Sequence, residues 1–387
     1  MTLRLAADRV IAQAAAAFGG LGEVVLVDGR AIDRALVADC DVLLVRSVTR
    51  VDALLLAGSR VRFVGTATAG TDHVDLAWLE GQGIAFAAAP GCNARPVGEY
   101  VLACVLAHAQ ASGRDPATLT AAIVGCGHAG AWAARLLEAV GLRCLRNDPP
   151  RAQREPGFVP LAEALAAADV VSLHVPLSGE GPFPTRGLVG AAELAALKPG
   201  ALLVNAARGG VVDEAAWLGA LRAGRLHAAV DCWVGEPEIS RELLEWASIT
   251  TPHVAGHSID ARLRATVQLR AALLAWLERD EGTVAAAWRP APDAAPPARV
   301  PAATGTVADA VFACCDPRAW TARTREVLAT ETTAAGRRAA FDRLRAEFGR
   351  RREFGAVPLA LPVALPAPAP DTARVLATLG FTLATRR

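Results

Sequence analysis

The sequence predicts an α/β protein: two doubly wound, Rossmann-like domains followed by a small C-terminal α+β domain. Three observations carry that reading. Short, nearly continuous apolar runs alternate with helical stretches through the first 260 residues, as parallel strands covered on both faces require. A Gly125-Cys-Gly-His-Ala-Gly130 loop stands between one such run and a helical stretch, the setting in which a glycine loop cradles a dinucleotide phosphate. A proline- and alanine-rich segment, Pro290–Pro301, then sets off the tail as a linker would.

The elements follow in order. Val24–Val27, Val42–Val45, Val61–Val64 and Ile84–Ala87 read as strands, with segments of helical length between them. Asn93 is an N-cap and Pro96 falls in the first turn of a helix running through Val101–Ala109, where proline is tolerated. That helix bridges to a second α/β layer. Ala121–Val124 is a strand that enters the glycine loop, and Ala131–Val140 is the helix after it. Leu142–Arg146, Val170–His174, Ala201–Asn205, Ala228–Cys232 and Ser248–Thr250 continue as strands. Glu214–Ala223 is a helix closed by Gly224, and Ala261–Leu277 a long one. Beyond the linker, Thr306–Phe312, Ala339–Phe348, Leu359–Leu365 and Thr372–Leu379 alternate helix and strand patterns. There is no internal repeat.

A chain of 387 residues, 53% of them apolar, is too long for one core and suits two or three domains. The 40 basic and 39 acidic residues leave a net charge of +1. That balance gives no reason to invoke nucleic acid or a membrane surface. Eight cysteines lack metal-ligand spacing, and free thiols in a reducing compartment are the expectation for all of them, Cys126 and Cys232 included. Arg4, Asp8, Arg9 and Gln13 argue against a signal peptide, and no apolar run has the length of a membrane span. The expected location is cytoplasmic.

In the glycine loop, Gly125 permits the tight turn, Gly127 lets backbone approach a pyrophosphate, and Gly130 lets helix pack on strand. Asp148 lies at the end of the next strand, eighteen residues on. A carboxylate there accepts hydrogen bonds from the adenosine ribose and repels a 2′-phosphate, so NAD is expected rather than NADP. Downstream come Arg208, Glu236 and His253, each just after a strand. A guanidinium grips a carboxylate bidentately. A histidine whose other nitrogen meets a carboxylate serves as a general base. The three form a working set for oxidising a 2-hydroxy acid. His73, His128, His174 and His227 are expected to be structural, with no metal-ligand spacing among them.

The contexts of these residues, Asn205-Ala-Ala-Arg-Gly209, Gly235-Glu-Pro237 and Thr251-Pro-His253, resemble the D-isomer-specific 2-hydroxyacid dehydrogenases. The resemblance implies a substrate-binding lid domain of residues 1–95 and 257–285, an NAD-binding domain of residues 96–256, and a C-terminal dimerisation domain of residues 290–387. Three N-terminal segments sharpen it: Val45-Arg-Ser-Val-Thr49, Phe63-Val-Gly-Thr-Ala-Thr-Ala-Gly-Thr-Asp-His-Val-Asp75 and Ala89-Pro-Gly-Cys-Asn-Ala94. So do Phe341-Asp-Arg-Leu-Arg345 and Arg350-Arg-Arg-Glu-Phe354 in the tail. They look like a branch of the family that acts on a phosphorylated hydroxy acid as a homodimer. By that likeness Ser47 and Thr68 contact substrate, and Ala206, Ala207, Arg208, Asp231 and Gly256 line the NAD site. Val175 stands there in place of a common threonine. His257 replaces the usual tyrosine and can still donate a hydrogen bond to the far end of the substrate. Arg46 is a candidate for the phosphate, as are the arginines at 350–352 reaching in from the tail. Two other readings stay open: a dehydrogenase for another hydroxy acid such as phosphoglycerate, and an NAD-sensing corepressor.

Overall fold

The computed structural model describes residues 2–279, 288–291, 298–299, 305–360 and 370–383. Residues 280–285 of the expected lid domain lie outside this range. So do most of the linker, at 292–297 and 300–301, and residues 361–365 of an expected strand. The chain divides into two compact units, one of residues 1–93 with 259–294, the other of residues 94–258 with 295–387.

The first unit is built on five parallel strands: β1 (Leu3–Asp8), β2 (Gly22–Val27), β3 (Val42–Val45), β4 (Phe63–Thr66) and β5 (Ala85–Ala87). Their order is β2-β1-β3-β4-β5. Successive side chains of a strand point to opposite faces, and both faces here are apolar. Val42 and Leu44 join Leu5 and Phe63 under the helix Ile259–Trp276, which contributes Leu269 and Leu273. Leu43 and Val45 join Val37, Val64 and Leu79 on the other face. Hence β3 has no polar position at all, which is what made it legible. β1 was not foreseen. Arg4 and Asp8 interrupt its apolar run, yet it pairs with both β2 and β3, and Asp8 is wholly buried.

The second unit carries six parallel strands: β6 (Thr120–Val124), β7 (Arg143–Asn147), β8 (Val170–Leu173), β9 (Ala201–Asn205), β10 (Leu226–Val230) and β11 (Ile249–Thr250). The order β11-β10-β9-β8-β6-β7 is a doubly wound sheet with its switch between β6 and β8. In β9, Leu202 and Val204 serve one core and Ala201 and Leu203 the other. The helix Ala94–Ser112 is buried along most of its length against the first of these cores.

Residues of the tail complete this same unit. The hydroxyl of Thr321 accepts the backbone N–H of Thr250 at 2.9 Å. Trp320 stacks on Tyr100 and Phe348 at centroid separations of 6.5 and 5.3 Å. The tail holds the helices Val307–Cys314, Pro317–Ala329, Ala334–Phe348 and Pro370–Leu379, with three short parallel strands, β12 (Ala298–Arg299), β13 (Pro358–Ala360) and β14 (Thr382–Leu383). Pro317–Ala329 was missed in the sequence, although its Asp316 cap and first-turn proline are both visible there. No helix among the described residues is long and apolar enough to cross a membrane.

Candidate active site

The glycine loop, Asp148, Val175, Arg208, Asp231, Glu236 and His253 all follow the carboxyl ends of strands of the second unit, where open α/β sheets bind ligands. The glycine loop follows β6. Gly125 has φ of +86°, and its N–H donates to Asn147 O at 2.8 Å, which turns the chain sharply. A Cβ on Gly130 would lie 2.0 Å from Gly125 O, so only glycine lets the helix His128–Ala139 come this close. At Gly127, by contrast, a Cβ would meet nothing within 4 Å. No side chain caps the first N–H groups of that helix. Open space, uncapped N–H groups and a dipole end together fit a pyrophosphate.

Asp148 is the first residue past β7 rather than part of the strand, and caps the short helix Pro149–Ala152. One oxygen accepts the Cys126 N–H at 2.8 Å and the other the Arg151 N–H at 3.2 Å. These bonds fix its rotamer beside the glycine loop. A carboxylate has lone-pair sites beyond those two, so the arrangement suits a ribose.

Arg208 follows β9 on a loop shaped by Asn205. The Asn205 side chain donates to Arg208 O at 2.9 Å and accepts the Ala207 N–H at 3.2 Å. The guanidinium donates to Ala207 O at 2.8 Å. The next residue must be glycine, because a Cβ at Gly209 would stand 1.9 Å from Trp233 O. The loop after β9 is thereby pressed onto the backbone that follows β10. Ala206 and Gly256 are half-buried, as is Val175, two residues past β8, whose Cγ1 would stand 2.9 Å from a Cβ on Gly125.

Glu236 and His253 come together. Nδ1 of His253 is 2.8 Å from Oε2 of Glu236, and Oε1 accepts the Trp233 N–H at 2.8 Å. An ionised carboxylate only accepts, so Nδ1 carries the hydrogen and Nε2 is the basic nitrogen. His253 has φ of +55°, a left-handed conformation that costs a non-glycine residue about 1–2 kcal/mol. Asp231 holds it there. Its backbone carbonyl accepts the His253 N–H at 2.8 Å, and its carboxylate accepts the N–H groups of Val254 and Ala255 at 2.7 and 3.0 Å. The Thr251 hydroxyl donates to the same carboxylate at 2.6 Å, and Tyr100 lies 2.8 Å from that hydroxyl. Asp231, expected to line a cofactor, is 1% exposed with its carboxylate turned onto the histidine loop.

The electrostatics favour an imidazolium at rest. Burial penalises it, but the neighbouring Cys232 sulfur and the Glu236 carboxylate raise the His253 pKa well above the ordinary 6.5. Burial also lifts the Cys232 thiol, keeping it neutral, so the carboxylate is the charge that acts. Burial pushes Glu236 up as well. The facing His253, its hydrogen bond, the Trp233 N–H and the Arg345 guanidinium outweigh that and bring it below the usual carboxylate range.

Arg345 was not singled out beforehand. It projects from the helix Ala334–Phe348, with Nη2 3.4 Å from Nε2 of His257. Its charge is among those that lower the Glu236 pKa. The arginines at 350–352 were expected to reach a phosphate, and Arg351 does not. Its side chain, 5% exposed, donates to Glu99 at 2.8 Å, Pro96 O at 2.7 Å and Ala255 O at 3.2 Å.

In the first unit, Arg46 and Ser47 follow β3 and Thr68 follows β4. Nε of Arg46 is 2.9 Å from the buried Asp8 carboxylate, so part of its fork serves the fold. Ser47 is exposed. Thr68 donates to Gly70 O at 2.8 Å and lies 2.8 Å from the Thr66 hydroxyl, which is 2.9 Å from His73. His174 meets Ser172 at 2.9 Å, and burial lowers its pKa to about 4. His128 opens the glycine-loop helix and is exposed, and His227 lies 3.2 Å from Ser248.

Comparison with known proteins shows the family. Residues 99–255 match the D-isomer specific 2-hydroxyacid dehydrogenase NAD-binding domain. The chain is 45% identical over 360 residues to the erythronate-4-phosphate dehydrogenase of Pseudomonas aeruginosa, covering 91% of this chain and 93% of that one. It is 44% identical over 389 residues to the enzyme of the same name from Azotobacter vinelandii, covering 98% and 99%. Among solved structures, the TT0316 protein of Thermus thermophilus superposes with a TM-score of 0.64 at 28% identity, covering 72% of this chain and 98% of that one. An NAD-bound 3-phosphoglycerate dehydrogenase from Entamoeba histolytica gives 0.63 at 21% identity, covering 75% and 99%, and shares the fold.

Proposed function

The chain belongs to the D-isomer-specific 2-hydroxyacid dehydrogenases, in the erythronate-4-phosphate dehydrogenase family, and from that premise we propose how its residues oxidise 4-phospho-D-erythronate to 2-oxo-3-hydroxy-4-phosphobutanoate, a step toward pyridoxal 5′-phosphate. The observation that carries the mechanism is the 2.8 Å contact of His253 with Glu236. Arg208 holds the substrate carboxylate and orients C2. His253, neutral when it acts, takes the C2 hydroxyl proton on Nε2. Glu236 stabilises the imidazolium that results. Bound in the site, NAD would supply the acceptor for the C2 hydride. Gly125, Gly127 and Gly130 seat its pyrophosphate, Asp148 its ribose, and Val175, Ala206, Ala207 and Gly256 shape the rest of its site, while Asp231 serves it only by holding the histidine loop. Ser47, Thr68 and Arg46 contact the substrate, with His257 and Arg345 the groups for its phosphate end. The protein acts in the cytoplasm as a homodimer, the tail supplying the contact.

Purified enzyme should turn over 4-phospho-D-erythronate faster than D-erythronate or 3-phosphoglycerate. A substrate without the phosphate forgoes the contacts made at that end, so kcat/KM for the unphosphorylated acid should drop about 10–100-fold, or roughly 1.4–3 kcal/mol. Arg345→Met should shrink that preference. Faster turnover of 3-phosphoglycerate would defeat the substrate assignment.

Cofactor choice is a separate test. Asp148 opposes a 2′-phosphate, so kcat/KM with NAD should exceed that with NADP by about tenfold or more, a difference of roughly 1.4 kcal/mol. Equal values would remove the ribose role of Asp148.

A further inference from the structure

One thiol stands against the dyad and takes no part in the chemistry above. Cys232 lies two residues past β10, between Asp231 and Trp233, and is 2% exposed. Its Sγ, a carboxylate oxygen of Glu236 and a ring nitrogen of His253 all lie within 4.8 Å of one another. No other trio of His, Cys, Asp or Glu side chains gathers this way among the described residues.

We propose that Cys232, Glu236 and His253 form a binding site for a borderline-soft divalent cation such as Zn²⁺, and that occupying it silences the enzyme. The donor set is a thiolate, an imidazole and a carboxylate, the three that zinc uses. Bond lengths of about 2.0–2.3 Å put tetrahedral donors roughly 3.3–3.7 Å apart, so modest side-chain rotation closes the trio around an ion. The Nδ1–Oε2 hydrogen bond is exchanged for coordination, the Nδ1 proton and the thiol proton both leave to solvent while Nε2 keeps its own hydrogen, and the fourth position takes a water. His253 and Glu236 keep 32% and 23% of their side-chain surfaces exposed, which gives an ion a route in, with Cys232 as the floor. A hard cation such as Mg²⁺ prefers oxygen ligands and meets only one oxygen-bearing side chain here. With its ring on a metal and Glu236 drawn away, His253 no longer receives the substrate proton.

A helix and a strand separate Cys232 from His253, and no spacing rule connects them, so the trio is invisible in the sequence. Nor does the inference depend on which hydroxy acid is oxidised, since metal binding can be read without substrate. The full-length enzyme is titrated with Co²⁺, whose thiolate coordination gives a near-ultraviolet charge-transfer band, and Zn²⁺ is then used to displace it. The wild-type protein should show the band. Cys232→Val, close in size and without a donor atom, should lack it and bind Zn²⁺ on the order of 10–100-fold more weakly. Measured against its own uninhibited rate, it should also lose inhibition by Zn²⁺ to the same degree, while Mg²⁺ inhibits neither protein. Absence of the band in wild type, or undiminished Zn²⁺ affinity in Cys232→Val, overturns the proposal. If circular dichroism shows the valine variant unfolded, Cys232→Ser gives the same comparison, with the same outcomes for and against.

Discussion

Replacing His253 with alanine should cut turnover by about 10²–10⁴-fold, the usual contribution of a positioned acid–base group, while NAD still binds. The backbone should survive the change. The left-handed conformation at 253 is held by the Asp231 carbonyl, and the next two N–H groups by the Asp231 carboxylate. None of those bonds uses the imidazole. Alanine meets much the same conformational cost as histidine, so loss of rate should report chemistry rather than collapse of the loop. Steady-state kcat and the NAD dissociation constant, measured on one preparation, separate the two. A variant with near-native kcat takes the histidine out of the mechanism.

The same dyad fixes a pH dependence. The His253 pKa is raised, and oxidation needs the neutral ring. The oxidative rate should therefore climb as pH rises through that raised value. Glu236→Gln removes the charge that favours the imidazolium, so the limb should move to lower pH while the maximal rate falls. A limb that stays in place would mean that another group governs it.

The residues that bear the proposed chemistry were legible because each follows a strand in a compact local context. Arg208, Glu236 and His253 lie after β9, β10 and β11, and the glycine loop after β6, so reading the strands placed the residues. β10 ends two residues earlier than its apolar run implied, which takes Cys232 out of the sheet and into the site. What escaped reading depends on contacts far apart in the chain. Arg345 approaches His257 across 88 positions. Asp231 turns inward because three donors twenty or more residues away meet its carboxylate. β1 was hidden because buried charge breaks the apolar pattern on which strand reading rests, and the partner of Asp8 is Arg46, after β3.

Arg351 shows how far such a contact can redirect an expectation. Cutting it to methionine should destabilise the protein by about 3–5 kcal/mol, the cost of stranding a buried charge. The stranded group is Glu99, which is 0% exposed. It would keep the Phe354 N–H at 2.9 Å and Arg95 at 3.0 Å but lose the Arg351 guanidinium at 2.8 Å. The carbonyls of Pro96 and Ala255 would lose donors as well. Burial already lifts the Glu99 pKa against the opposing pull of Arg351, so without that charge Glu99 should take up a proton more readily. A Glu99→Met, Arg351→Met double variant leaves neither charge alone, and should be clearly more stable than the Arg351 single variant. Urea midpoints of the four proteins decide the matter. If Arg351→Met unfolds at the wild-type midpoint, the pair contributes nothing. If the double variant falls by the sum of the singles, the two residues are not coupled. Ala255 is two residues beyond His253, so the single variant should also raise the KM for NAD, an effect that a pair serving stability alone would not produce.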